Sequence, residues 1–254
     1  VIFLAVGGIL ARIGWQYPFL LYLVAWACLV MVLAFVPRRA PLPAADARTD
    51  SPADKPQRVK VMDIYIAACF SLILFFTAVI MMPRRLAEMG LSEDETGYFM
   101  AFISLVAVGA AFFMPRLKRR MGDSATLGLA FAAYAASHVL YTTGVLPIMI
   151  GGGVLMGCGF GFSVPLVNNM IVERSPVSQR MPNLAYLSVA IFLGQFLSSF
   201  LGLLPGNGGA AFTVAAVIAV VLALAYGGRG VAGALRRQSR RSAASQSPSR
   251  RSAS

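Results

Sequence analysis

MPRLKRRMGDS, Met114 to Ser124, separates two long apolar runs and carries four cations: Arg116, Lys118, Arg119 and Arg120. Its setting explains so dense a charge. The 254 residues are 58% hydrophobic and only 13% charged, against roughly a quarter charged in a soluble domain. Seven uncharged or nearly uncharged runs are long enough to cross a bilayer: 18–36, 61–82, 96–115, 125–144, 148–170, 183–204 and 210–228. About 20 apolar residues suffice for a spanning helix. An eighth run, 1–11, is too short. It opens at Val1 in mid-hydrophobic sequence with no basic leader, unlike a signal peptide, and is expected to be the end of a helix whose first part is missing. The expected fold is an all-α polytopic membrane protein with seven full transmembrane helices and one truncated helix.

Assigning the loops alternately to two sides separates the charge. One side keeps only Arg12, Arg84 and Arg85; the other takes the remaining 19 of the 22 lysines and arginines. Cytoplasmic loops carry the excess of Lys and Arg. The basic side is therefore expected to face the cytoplasm of a plasma membrane, bacterial inner membrane being the expected setting. MPRLKRRMGDS becomes a tight cytoplasmic turn whose cations attract the anionic inner leaflet, each by on the order of 1 kcal/mol. The net charge of +12 then marks a lipid surface, with no nucleic acid expected as a partner.

PRRAPLPAADARTDSPADKPQRVK (37–60) is polar and helix-breaking, which reads as a flexible cytoplasmic linker. It divides a leading segment, 1–36, from a six-span block, 61–228. The tail 229–254, ending RRQSRRSAASQSPSRRSAS, has almost no apolar content after Leu235 and is expected to be disordered and cytoplasmic. Cys28, Cys69 and Cys158 lie singly in apolar runs, without metal or redox spacing. No metal site and no cofactor are expected.

Three segments carry a family likeness. PRLKRRMG resembles the signature turn Gly-Arg-Leu-x-Asp-Arg-x-Gly of the major facilitator superfamily in its second-half copy. Arg116, Leu117, Arg120 and Gly122 match, while Pro115 and Arg119 depart from its Gly and Asp. PRRLAEMGLSEDETGY resembles the external loop after that family's seventh helix. VPLVNNMIVERSPVSQR with AIFLGQFLSS resembles the tenth and eleventh helices of drug and sugar efflux members, although Arg180-Met181-Pro182 stands where Arg-Gly is usual. On this resemblance the chain runs from the end of the fifth helix through the twelfth, and GWQYPFLLYLVAWACLVMVLAFVP is the sixth. The rest of the N-terminal half is expected earlier in the same chain.

The resemblance implies a secondary transporter working by alternating access, with proton-coupled efflux of a small organic solute. It also implies a cytoplasmic gate in which Arg116 and Arg120, beside Gly122, meet acids or helix ends of the other half. The alternative is a simple topology anchor. Glu173 and Asp123 are candidate partners in place of the missing Asp.

No Asp, Glu, Lys or Arg lies in the middle of a span, so this half offers no obvious proton carrier. Milder polar residues are left for a solute path. Ser188, Gln195 and Ser199 share one face of a helix, and Thr77, Ser104 and Asn168 join them if their faces point inward. For Gln195 the alternative is an interhelical hydrogen bond; for Ser and Thr it is a bond to their own helix backbone. His138, the one histidine, reads as a packing residue. Gly153, Gly157 and Gly161 recur every fourth residue, which lets another helix approach closely in a membrane. Two other classes compete. An intramembrane enzyme needs a nucleophile, base or metal cluster at membrane depth, and the sequence shows none. A truncated remnant or scaffold would not transport.

Overall fold

The computed structural model describes residues 2–14, 16–35, 61–204 and 209–245. The linker 37–60 and residues 246–254 lie outside them. The described residues form α1 (Ile2–Ile13), a 3-10 segment (Tyr17–Tyr22), α2 (Leu23–Phe35), α3 (Met62–Glu88), α4 (Glu93–Met121), α5 (Asp123–Thr142), α6 (Leu146–Arg174), α7 (Val177–Leu201) and α8 (Gly209–Ser245). Six segments are long and apolar enough to cross a membrane: Tyr17–Phe35, α3, α4, α6, α7 and the first part of α8. These helices make the chain a multi-pass helical membrane protein, in which the backbone must satisfy itself within each segment.

α5 is the one expected span outside that set. It has the length, at 20 residues, but Ser124, Thr126, Ser137, His138 and Thr142 dilute its apolar content. Packing explains why such a helix is tolerated. α8 runs along α5 more extensively than any other pair of helices meets, and α6 covers a second face. Two of its polar groups find partners on α6. Tyr134 and Ser163 share a hydrogen bond at 3.2 Å, and Ser137 donates to the Gly152 carbonyl at 2.7 Å. His138 is fully buried, its Nε2 lies 3.1 Å from the Leu74 carbonyl of α3, and Phe212 stacks beside it. α2 is the opposite case: apolar all round and without one buried residue among those described, a surface suited to hydrocarbon or to other apolar helices.

Several boundaries differ from those read in the sequence. MPRLKRRMGDS is not a loop. α4 continues through Met121, α5 begins at Asp123, and Gly122 alone separates them. Leu, Lys, Arg and Met are good helix formers, and Lys118, Arg119 and Arg120 in the last turn of α4 face the negative end of its dipole. Gly122 has φ +83°, where a Cβ is strained. Gly122→Ala is therefore expected to cost about 1 kcal/mol or more, seen as a lower midpoint in a thermal melt, with Gly122→Asn milder.

The stretch PRRLAE likewise belongs to α3, leaving Met89 to Ser92 as the connection. Ser92 and Glu95 close a capping box at the start of α4, which satisfies two backbone N–H groups. The expected span at 18 opens as a 3-10 turn carrying Pro18, and becomes α-helical only at Leu23.

The tail is also corrected. It was expected to be disordered from Arg229, yet α8 runs to Ser245. Extending a helix that already exists adds one bond per residue and needs no new nucleus. Ala, Leu, Arg and Gln sustain it, and the next proline comes only at Pro248.

Candidate functional site

Three spans meet around a cavity of about 300 Å³ near the middle of their lengths. α3 contributes Phe75, α4 contributes Ser104, Val108 and Ala111, and α6 contributes Phe160, Gly161 and Pro165. The wall is apolar, with two aromatic rings in contact: Phe75 and Phe160 lie 4.1 Å apart between centroids. The Ser104 hydroxyl donates to the Met100 carbonyl at 3.0 Å, so its oxygen lone pairs remain as acceptors. The glycine row sets how closely the helices approach. A Cβ on Gly157 would stand 2.7 Å from the Ile103 carbonyl oxygen and 2.7 Å from the Val106 Cβ, and one on Gly161 would collide with the Ala107 carbonyl oxygen. One at Gly153 would meet Ile103 and Phe102 at 3.3 Å. The row therefore lies along the α4–α6 contact.

At the basic end of the bundle the helix ends converge on an ion network. Lys118 of α4 bridges Glu173 of α6 at 2.5 Å and Asp123 of α5 at 3.6 Å. Arg174 of α6 forks to Asp63 of α3 at 3.1 Å and to Asp123 at 3.4 Å. Oriented by its neighbours, the Asn169 amide donates to Glu173 and accepts from Lys118, each at 3.2 Å. Tyr226 of α8 donates to the Asp63 carbonyl at 2.6 Å, and Arg229 lies over the Tyr226 ring. Asp123 takes both cations and so joins the two halves of the network. At the opposite end Arg12 of α1 reaches Asp94 of α4 at 3.4 Å. The helices thus run alternately between one basic end and one end of few cations.

This alternation of apolar helices matches a known family. The model of the Major Facilitator Superfamily matches residues 1–123 and 64–252. The chain belongs to the major facilitator superfamily. The Multidrug efflux protein YfmO of Bacillus subtilis (strain 168) is 24% identical over 234 residues, which is 89% of this chain and 58% of that protein. The Quinolone resistance protein NorA of Staphylococcus aureus (strain Mu50 / ATCC 700699) is 24% identical over 129 residues, 50% of this chain and 32% of that protein. The chain therefore spans little more than half of the first relative and a third of the second. No solved structure matches it.

Within this superfamily member the expected site residues scatter. Of the six expected on a solute path, Ser104 alone lines the cavity. Thr77 does not: it is fully buried and donates to the Ile73 carbonyl of its own helix at 2.7 Å, as buried helical threonines do. Ser188 and Asn168 are exposed and bond back to Leu184 and Val164. Ser199 is exposed and Gln195 half-buried on α7. Among the gate candidates, Glu173 and Asp123 meet in the network, but with Lys118 and Arg174 as their cations. Arg116 instead lies over the Phe112 and Phe113 rings, at 5.3 and 5.7 Å from their centroids. Arg120 makes no ion pair among the described residues.

Asp63, Lys118 and Arg174 were not singled out from the sequence. Lys118 occupies a position that the family pattern leaves variable. The pairing of Asp63 with Arg174 joins residues 111 positions apart, and helix packing alone brings them together.

Proposed function

We propose that this protein is part of a secondary transporter that moves small lipophilic organic solutes outward by alternating access. The observation that carries this reading is the mid-depth cavity of α3, α4 and α6, walled by Phe75 and Phe160. A solute site at the bilayer midplane is what alternating access requires. The relatives' printed names, multidrug efflux and quinolone resistance, support the direction and the breadth of substrate. The network of Lys118, Asp123, Glu173 and Arg174 would act as a cytoplasmic latch. It holds four helix ends together while solute is released on the other side, and it loosens as the bundle rocks. The proton gradient as energy source comes from the family resemblance, since no acid lies mid-span in the described helices.

Reconstitution in liposomes of the transporter of which this chain is part tests this. With an imposed proton gradient, an apolar aromatic dye is expected to be extruded against its concentration. Val108→Trp, which fills the cavity, is expected to reduce extrusion at least tenfold while the helical content stays unchanged. Equal extrusion by the variant, or none by the unaltered protein, would count against the reading.

A further inference from the structure

Four prolines lie inside the described helices: Pro83, Pro115, Pro165 and Pro182. A helical proline has no N–H to give the carbonyl four residues before it. Pro115 thus strips the Ala111 carbonyl and Pro165 strips the Gly161 carbonyl. Those two residues lie on facing helices, and both line the α3–α4–α6 cavity. A Cβ built on Gly161 would stand 2.9 Å from the Ala111 amide nitrogen, so the two sites adjoin. Among the described residues no side chain donates to either carbonyl. The carbonyls stripped by Pro83 and Pro182, on Val79 and Ser178, lie outside the cavity.

A backbone carbonyl deprived of its helical N–H at membrane depth is costly and is tolerated where it lines a cavity that supplies a partner. Here two such carbonyls and the Ser104 lone pairs offer acceptors, while the lining side chains offer no free donor. The Phe75 and Phe160 rings add negative π faces, which favour a cation. We propose that the Ala111 and Gly161 carbonyls form a hydrogen-bond-accepting subsite that takes the N–H groups of a primary ammonium on an aromatic or aliphatic solute. A hard metal ion fits less well, since calcium takes six to eight oxygens and magnesium six. This assignment rests on the reading of the cavity as a solute site and names the class of solute that it prefers.

Three naphthylalkyl probes separate the possibilities: a primary ammonium, its trimethylammonium analogue, and the uncharged alkyl isostere. Binding is followed by naphthyl fluorescence with the protein in nanodiscs of zwitterionic lipid. The primary ammonium is expected to bind about tenfold more tightly than either of the others, as hydrogen bonds to a charged group allow. Pro165→Ala and Pro115→Ala each return an amide N–H to the helix, a change that favours folding. Each is expected to remove most of that advantage and to leave the uncharged isostere unchanged. Equal binding of the trimethylammonium probe, or an advantage that survives both substitutions, would overturn the subsite, leaving the carbonyls to water. If the isostere binds and the ammonium shows no preference, the cavity stands and the subsite falls. If no probe binds, both fall.

Discussion

Gly157→Leu is expected to separate α4 from α6 and to lower stability by about 3 kcal/mol or more, at the upper end of overpacking costs. The reason is what stands opposite. A Cβ alone would come within 2.7 Å of a backbone oxygen, that of Ile103, and of the branched Cβ of Val106. Neither can swing aside as the tip of a flexible side chain would. The helices must part, and the α4–α6 contact forms one wall of the cavity. Unfolding by a graded detergent titration would show the loss, together with a weaker response to any cavity ligand. Gly151→Ala is the matching control. Its nearest neighbour beyond its own helix would be the Leu140 Cδ1 at 3.9 Å, an ordinary contact, so the change is expected to lie within about 0.5 kcal/mol. Comparable losses in both variants would show that the glycine row sets no distance between helices.

Arg174→Ala is expected to have the larger effect on transport. The guanidinium holds Asp63 and Asp123 together, and its removal leaves two carboxylates at adjoining helix ends without their shared cation. Arg174 and Asp63 are each about a third exposed, so solvent screens much of the loss, and stability is expected to fall by only about 1 kcal/mol. Dye extrusion is expected to fall at least tenfold, because the ends of α3, α5 and α6 would no longer move as one unit. Arg174→Lys is expected to recover only part of the activity, since an ammonium cannot fork to both acids as the planar guanidinium does. The double variant Arg174→Ala/Asp123→Asn is expected to extrude better than the single one. Extrusion at the unaltered rate in Arg174→Ala would remove the network from the mechanism.

How much of this could be read from residues alone follows from the range of the forces involved. Apolar runs and the placement of basic residues report on the solvent, so the helical membrane fold and the alternation of the chain were legible. Gly122 was named only through the family likeness of its turn; its left-handed backbone, the feature that fixes the reversal between α4 and α5, came from the structure. Helix ends were less legible. Charge was read as the end of helix, yet in α3 and α4 the cations ride on the last turns, where the dipole favours them. The same reading made residues 229–245 a loose tail, although nothing there breaks a helix that is already running. Inward and outward faces were the least accessible. Thr77, Ser104 and Asn168 look alike as isolated polar residues in apolar runs. Packing alone decides that Thr77 closes on its own backbone in the core, that Ser104 reaches the cavity and that Asn168 is exposed and bonds back to Val164.

The composition of α5 has a consequence for biogenesis. A helix that carries Ser137 and His138 in its buried face partitions poorly into lipid by itself. Its principal covering partner, α8, begins about 67 residues after α5 ends, a delay of roughly 3–13 s at ordinary rates of synthesis. During that interval α6 is already available, but the face that will meet α8 has no protein neighbour. Insertion of α5 is therefore a cooperative act completed by a helix not yet made, and a ribosome stalled before Gly209 would leave the second half without the partner that covers it.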